Sequence, residues 1–358
     1  MFIMKGWQIG ALTIVVAVIF FIAGVSLAPL INPPPKPKQV TDITFAVNWV
    51  FDGEHVPFFV ALDKGYYAQN GLNVKIVRGF GGADTVKRVA TGEVPIGMGD
   101  AVSAILSTAR GLPVKIVAVF FDRAPFAFHV LKESGIDHPS KLAGKTAAAP
   151  PGDVQRAAWP LLAKAVGIDP NSLTWVNVEA AAKIVSLCEK KVDATPFFYD
   201  AVETLWRACG GKENVITMPY WKYGVDIYGM VIVVNPDFLA KYPDAVRGFL
   251  NATFLATQWS ILHPDEGIEI MRKYQPQLDP SLTKSQWIIE ITTMQTDRIR
   301  NSYLGYIDDN QMLKTIKAVS EAYNVPEIKV TDVVVKDLLP TIYKLPEVDY
   351  PVPEFLKP

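Results

Sequence analysis

Three turns in the first third of the sequence carry side chains suited to holding a small planar molecule. Each turn follows a short apolar run, at residues 43–47, 73–77 and 95–98, and precedes a helix-like run. The residues of interest in these turns are Asn48, Trp49, Gly81, Gly82, Asp84 and Asp100. An indole stacks on a flat ring, amides and carboxylates bond its edge, and glycines let the backbone approach it closely. Because ligands of open α/β sheets bind where strands end, these turns predict one wall of a binding cleft.

A second set of residues, later in the chain, predicts the opposite wall. Its members are Gly152, Asp153, Tyr199, Asp200, Asp226 and Tyr228. The first two precede a helix-like segment, the next two end a strand-like run, and the last two lie near a predicted return of the chain between two lobes. We expect the first four to bind ligand and the last two to act in the hinge or the pocket.

Several of these residues also have a plausible structural role. Trp49 either stacks on a ligand or packs in the core, and Asn48 either bonds a ligand edge or forms a turn. His55 stands at the start of a helix-like segment, where it bonds either a ligand or the protein. Asp84 and Asp100 each precede a helix, so each is either an N-cap or a ligand contact.

The sequence gives no support for catalysis or for a metal centre. It contains no Cys-x-x-Cys or His-Glu-x-x-His spacing, and no nucleophile, base and orienting group stand out together. The glycines at 79–82 are not followed by Gly-Lys-Ser/Thr, so they do not form a P-loop. We therefore expect a protein that is not an enzyme, with no cofactor and no metal.

Composition limits the partners. The chain has 358 residues, a formal net charge of −1 and only two cysteines, Cys188 and Cys209. Binding nucleic acid needs a basic surface, which this charge balance does not supply. Half of the residues are hydrophobic, enough for a large core and for two lobes. The cysteines imply no disulfide framework; they are either buried thiols or, outside the cell, one disulfide.

The elements that must position these residues alternate as in α/β proteins. From residue 41 onward strand-like and helix-like runs follow each other at βα spacing, which predicts two α/β lobes. The chain is expected to cross between lobes near residues 124–126 and 229–231. After residue 236 the pattern changes to successive amphipathic helices at 243–263, 264–274, 284–301 and 308–323. The predicted domains are 41–125 with 231–345 for lobe 1, 126–230 for lobe 2, and 346–358 for a Pro-rich tail.

The first forty residues are predicted to hold the protein at a membrane. After a short segment at 1–8, residues 9–31 form an uncharged apolar run. These 23 residues span roughly 34 Å as a helix, enough for the hydrocarbon core of a bilayer. A signal peptidase site after Ala28 would be followed by Pro29, which favours an uncleaved anchor over a cleaved signal. The Pro-rich residues 32–40 then form a stiff linker.

The motifs together resemble a known family. The motifs on which the resemblance rests include Asn48-Trp49, Lys64-Gly-Tyr-Tyr, Gly81-Gly82 ahead of Asp84, Gly99-Asp100-Ala101, Pro151-Gly152-Asp153 and Asp226-Ile-Tyr-Gly. In this order, over roughly residues 41–323, they resemble the solute-binding proteins of ABC importers in the NMT1/THI5-like (SsuA/THI5-like) branch. The resemblance implies the type II periplasmic-binding-protein fold, in which two hinged lobes close on a ligand.

The resemblance also implies a function and partners. It suggests capture of a planar heteroaromatic nutrient, a thiamine-precursor pyrimidine or a riboflavin-like molecule, and delivery to ABC permease subunits. We expect a monomer outside the cytoplasm, at the cell membrane or periplasmic if cleaved. A sulfonate, taurine or nitrate ligand is the alternative, which an acidic cleft would disfavour. The pyrimidine synthases of the same superfamily are a remote alternative, because they carry a cysteine-rich iron-binding run that this chain lacks.

The anchor hypothesis predicts the mature N-terminus. Full-length protein should partition into membranes and retain Met1 or Phe2, because Pro29 hinders cleavage after Ala28. N-terminal sequencing of the mature protein measures this. A mature chain that begins at Pro29 or later would contradict it.

Overall fold

The computed structural model describes residues 40–351 and 353–357. The predicted segments 1–8 and 9–31 and nearly all of the linker 32–40 lie outside this range, so the anchor stays a prediction. Among the helices of the described range, none is both long and apolar enough to span a bilayer.

The first sheet has five strands, in the order β2-β1-β3-β10-β4. Their bounds are β1 Thr41–Ala46, β2 Leu72–Val77, β3 Ile96–Asp100, β4 Lys115–Val119 and β10 Met230–Val234. β1 pairs in parallel with β2 and β3, whereas β10 runs antiparallel between β3 and β4. The parallel strands therefore end at the same edge of the sheet, which brings the turns after β1 and β2 together.

The second sheet also has five strands, in the order β7-β6-β8-β5-β9. Their bounds are β5 Phe126–Leu131, β6 Thr146–Ala148, β7 Thr174–Val176, β8 Ala194–Phe198 and β9 Val215–Pro219. β5 lies in the middle of an antiparallel triplet with β8 and β9. Two separate sheets confirm the predicted α/β fold of two lobes.

Helices surround both sheets. In chain order they are α1 Val56–Asp63, α2 Tyr66–Gln69, α3 Gly82–Ala90, α4 Ala101–Ala109, α5 Val154–Ala165, α6 Ala182–Cys188, α7 Val202–Ala208, α8 Pro236–Lys241, α9 Pro243–Leu262, α10 Pro264–Tyr274, α11 Pro280–Met294, α12 Asp297–Arg300, α13 Asp309–Tyr323 and α14 Val330–Val333. The prediction of one helix over 284–301 was wrong, because the hydroxyl of Thr296 caps a separate α12.

The chain changes sheets within residues 120–125 and 220–229, where β4, β5, β9 and β10 leave gaps. The buried Asp122 fixes the first crossing, because its carboxylate lies 2.9 Å from the guanidinium of Arg298 and accepts a hydrogen bond from Thr296. The next residue, Arg123, stacks its guanidinium on the ring of Trp221, with Cζ 4.6 Å from the ring centroid. The lobe limits and the tail given above stay predictions.

A disulfide joins the two cysteines, which the sequence left open. Cys188 at the end of α6 is bonded to Cys209, which follows α7, with a Cα–Cα distance of 5.0 Å. The bond closes a loop with a sequence separation of 21 residues. A loop of about this length stabilises the folded state by about 3 kcal/mol. Disulfides of this kind form in oxidising compartments.

Candidate functional site

A cavity of about 470 Å³ opens between the two lobes. Its wall comes from segments within residues 48–54, 81–82, 153–155, 180–184, 197–204 and 277–286. The first two segments follow strands of the first sheet, the next three belong to the second sheet and its helices, and the last includes the start of α11. A volume of this size is typical of sites for small organic molecules.

Aromatic rings give the cavity flat apolar faces. Trp49 and Phe51 stand in the loop after β1, and Phe197 and Phe198 end β8 on the opposite lobe. Trp49 is partly buried, whereas less than a tenth of each β8 phenylalanine is exposed. Such faces can stack on a planar ring from both sides of the cavity.

Asn48 belongs to a buried network with Glu54 and His55. The Asn48 amide nitrogen donates to Glu54 Oε1 at 2.8 Å, and its Oδ1 lies 2.9 Å from His55 Nε2. An amide oxygen only accepts, so Nε2 carries the proton and donates. The other ring nitrogen, Nδ1, is engaged with the backbone nitrogen and carboxylate of Asp52. His55 therefore supports Asn48 from behind the cavity wall.

Asp52, Glu54 and His55 are close enough to be candidate ligands of one metal ion. One ligand atom from each residue lies within 4.8 Å of the others. Both nitrogens of the His55 ring are already engaged inside the protein, at Asn48 and Asp52. A metal ion needs a free nitrogen lone pair on histidine. This group is better explained as a structural network.

The second lobe contributes an ion pair to the wall. Asp153 caps α5 by accepting from two backbone N–H groups, and its other oxygen lies 2.5 Å from the Lys183 ammonium. Both side chains are 1% exposed. Burial lowers the pKa of Lys183, and the charge of Asp153 opposes that shift. The ammonium lies 3.9 Å from the Phe197 ring centroid and 5.1 Å from that of Trp49, so it contacts aromatic faces of both lobes.

Glycines bring the two lobes into backbone contact beside the cavity. A Cβ atom at Gly81 would lie 1.9 Å from the carbonyl oxygen of Gly152, and the φ of Gly81 is +127°. Any larger residue at this position would push the lobes apart and strain its own backbone. Gly82 lines the cavity at the start of α3, whereas Gly152 packs against Phe80 and Asp84 at the lobe contact.

Three buried carboxyl groups lie close together beside the cavity. Glu54 and Asp200 line the wall, and Glu290 of α11 is fully buried nearby. Within the described part of the chain, one oxygen of Glu54, one of Asp200 and both of Glu290 have no hydrogen-bond partner. Burial first, and then the charges of neighbouring carboxylates, raise the pKa of all three groups well above the ordinary range.

The structure brings six of the predicted site residues together at the cavity. They are Asn48, Trp49, Gly81, Gly82, Asp153 and Asp200. The other seven lie outside its wall: His55, Asp84, Asp100, Gly152, Tyr199, Asp226 and Tyr228. The carboxylate of Asp100 caps α4 at 2.8 Å from the Ser103 N–H, and burial raises its pKa to about 6. Its role is thus the capping role that the sequence left open.

The remaining four lie elsewhere. Asp84 is in the first turn of α3, but the N-cap of that helix is Gly81 and no side chain caps it, so neither role expected for Asp84 is found. Tyr199 points into a small core with Val202, Ile289 and Leu356. Asp226 forms an ion pair at 2.5 Å with Lys314 near the surface. The hydroxyl of Tyr228 accepts from the backbone N–H of Asp308 at 2.8 Å beside the second crossing.

Several wall residues were not recognised in the sequence. They include Phe51, Asp52, Glu54, Lys183, Asp279 and Gln286. Asp52 and Glu54 could have been recognised, because Asp52-Gly-Glu54 begins three residues after Trp49 in the same turn. Nothing in the sequence around α11 indicates a binding role, since this helix lies more than two hundred positions after the Asn48-Trp49 turn with which it shares the cavity wall.

Because the carboxyl of Glu290 is buried without a hydrogen-bond partner among the described residues, we expect its replacement by glutamine to stabilise the protein. A carboxyl whose pKa is raised by folding contributes stability below its unfolded pKa and loses it as the pH rises through the folded pKa. Glu290→Gln should therefore increase the free energy of unfolding by about 1–3 kcal/mol at about pH 8 and much less at about pH 4.5, as measured by urea denaturation.

Glu327→Gln is the matched control, because Glu327 is exposed. It should change stability little at either pH. A Glu290→Gln protein that is less stable than wild type at the higher pH would contradict the explanation.

Comparison with known proteins gives independent evidence about the family of this chain. A family model described as "NMT1/THI5 like" matches residues 52–267, more than half of the chain. The riboflavin-binding protein RibY of Chloroflexus aurantiacus is 26% identical over 304 residues, covering 82% of this chain and 83% of that protein. The formylaminopyrimidine-binding protein of Halalkalibacterium halodurans is 26% identical over 251 residues, covering 69% and 74%.

This chain is also similar to an enzyme and to a protein of known structure. A 4-amino-5-hydroxymethyl-2-methylpyrimidine phosphate synthase of Legionella pneumophila is 25% identical over 239 residues, covering 66% of this chain and 74% of that enzyme. The alkanesulfonate-binding protein SsuA of Xanthomonas axonopodis, solved with MOPS, has a TM-score of 0.64 at 13% identity and covers 83% of this chain and 99% of that one. The latter likeness shows the fold. With the predicted resemblance thus confirmed, the chain belongs to the NMT1/THI5-like family and has the periplasmic-binding-protein fold.

Proposed function

We propose that this protein is the solute-binding component of an ABC importer, and that it captures a small planar heteroaromatic nutrient between its lobes. The observation that carries the proposal is the cavity itself, whose wall includes the aromatic rings of Trp49 and Phe51 from one lobe and of Phe197 and Phe198 from the other. A thiamine-precursor pyrimidine or a riboflavin-like molecule has the planar ring and polar edge that such a site can hold.

The charge of the wall argues against an anionic ligand. Five carboxyl side chains line the cavity, Asp52, Glu54, Asp153, Asp200 and Asp279, against the single ammonium of Lys183. That ammonium is already paired with Asp153. A sulfonate or nitrate would lose its hydration and meet uncompensated negative charge, at a cost of several kcal/mol in a partly buried site. The names of two relatives, which bind riboflavin and a formylaminopyrimidine, support the heteroaromatic alternative.

The relationship to pyrimidine synthases does not make a synthase the better proposal. His55, the histidine of the region, is fully buried behind Asn48 and does not reach the cavity. Both cysteines of the chain are joined in a disulfide. The residues that do line the cavity are suited to bind a ligand, and the amine among them, that of Lys183, is paired with the carboxylate of Asp153.

The same proposal includes a location and partners. We place the binding domain outside the cytoplasm, held by the predicted anchor or free after its cleavage, where the Cys188–Cys209 disulfide would be stable. As a monomer, it would pass its ligand to permease subunits that recognise the closed lobes.

Thermal-shift screening tests the ligand class. The full-length chain should be stabilised by a thiamine-precursor pyrimidine or by a flavin precursor, because a ligand that binds only the folded state raises its stability. Taurine, alkanesulfonates and nitrate at millimolar concentration should have no effect. The opposite pattern would reject the heteroaromatic proposal and leave the fold assignment standing.

Trp49→Ala tests the stacking role. Aromatic pairs contribute about 0.5–1.5 kcal/mol beyond buried area, and the lost indole area adds more, so affinity should fall at least about tenfold. The melting temperature of the ligand-free protein should hardly change, since Trp49 lies at the cavity wall.

Trp259→Ala is the matched control. Trp259 is also partly buried, but it packs beside Lys64 and is not part of the cavity wall. It should leave affinity unchanged. If Trp49→Ala instead lowers the melting temperature strongly and leaves affinity intact, Trp49 is a core residue.

A further inference from the structure

The carboxyl groups of Glu54, Asp200 and Glu290 come close together from three distant parts of the chain, and the first two line the cavity. Glu54 lies in the turn Gly53–His55 of the first lobe, and Asp200 lies in the turn Tyr199–Ala201 that follows β8 of the second. Glu290 comes from α11, which packs against both turns. The three residues are at most 3% exposed. This arrangement concentrates ionisable carboxyl groups where the lobes meet.

Among the described residues, no lysine or arginine forms a salt bridge with these three carboxyls, and none acts on their pKa values. Lys183 is engaged by Asp153, Arg298 by Asp122, and the guanidinium of Arg123 stacks on Trp221. Asn48 donates to one oxygen of Glu54, while the remaining oxygens named above stay without a donor. His55 lies 3.4 Å from Glu54 through its Nε2, and the nearby Asp52 adds to the negative charge around Asp200 and Glu290.

Buried carboxylates without a partner are strongly unfavourable, so such a cluster must gain protons or a cation. Because Glu54 and Asp200 line the cavity, a cation can reach them from it. We propose that the ligand carries a positively charged nitrogen group, an ammonium or amidinium, and that Glu54 and Asp200 form the subsite that selects it, with the buried Glu290 close to both. The inference rests on the proposed function, and it narrows the class of ligand to organic cations.

The cavity wall suits an organic cation better than a metal ion. His55, the nearest nitrogen ligand, is engaged through both ring nitrogens. Aromatic faces attract an ammonium group through their electron-rich surfaces. The Lys183 ammonium already lies between the Phe197 ring and the Asp153 carboxylate in this cavity, which shows that the wall accommodates such a group.

A matched pair of ligands tests the inference. 4-Amino-5-aminomethyl-2-methylpyrimidine and 4-amino-5-hydroxymethyl-2-methylpyrimidine share a ring and differ in one group, which is an ammonium in the first at about pH 7.5. Isothermal titration calorimetry on the full chain should show at least about tenfold tighter binding of the ammonium compound, because charge-assisted hydrogen bonds are stronger than neutral ones. Riboflavin serves as a neutral planar reference.

Isosteric variants then locate the preference. Glu54→Gln and Asp200→Asn should each reduce the ratio of the two affinities toward one, since each removes one charge at the subsite. Asp279→Asn is the control: Asp279 also lines the cavity, but its side chain is 50% exposed and its oxygen caps α11, which asparagine can also do. This variant should keep the wild-type ratio, and melting temperatures verify that each variant is folded.

The outcomes separate this inference from the proposed function. Equal or tighter binding of the hydroxymethyl compound, or binding of riboflavin alone, overturns the inference while the heteroaromatic proposal stands. A preference for ammonium that Asp279→Asn abolishes as fully as Glu54→Gln and Asp200→Asn also overturns it, because the charge of the whole wall would then be responsible. Binding of none of the three compounds overturns the proposed function and the inference with it.

Discussion

Burial of Glu54, Asp200 and Glu290 without matching donors is the constraint on which the site depends. Most buried polar groups of a folded protein are hydrogen-bonded, so several bare carboxyl oxygens at one place indicate a deliberate electrostatic feature. The turns that hold Glu54 and Asp200 belong to different lobes and are joined by α11. The sheets, the crossings and α11 together fix the cluster where the two lobes meet.

The positive charge in the same cavity is arranged differently. Lys183 is held by Asp153, whose other oxygen caps α5, so the ammonium is neutralised within its own lobe. It nevertheless lies near the indole of Trp49 across the cleft, where it fills part of the space beside the aromatic faces. Within the described residues, the wall thus contains a neutral ion pair and separate, unpaired carboxyls, and under the proposed function this difference would orient a ligand that has one polar group.

The sequence was sufficient for the parts of the fold and site that depend on neighbouring residues. Strands and the turns after them follow from local apolar runs, which is why Asn48, Trp49, Gly81 and Asp153 were found. Adjacent residues were harder: in the turn after β8, Asp200 faces the cavity while Tyr199 enters a core completed by Leu356 near the C-terminus. Contributions of α11 could not be predicted, because only tertiary packing brings that helix to the cavity.

The placement of the carboxyls also bears on how the lobes move. Glu54 and Asp200 are on opposite lobes, so bringing the lobes together without a ligand brings like charges together in a region of low polarity. The backbone contact of Gly81 with Gly152 sets how close that approach can be. A cation between the two carboxyls would reverse the sign of the interaction across the cleft, so that its charge favours closure and its absence opposes it. Selection of the ligand and closure of the lobes would then have the same physical cause.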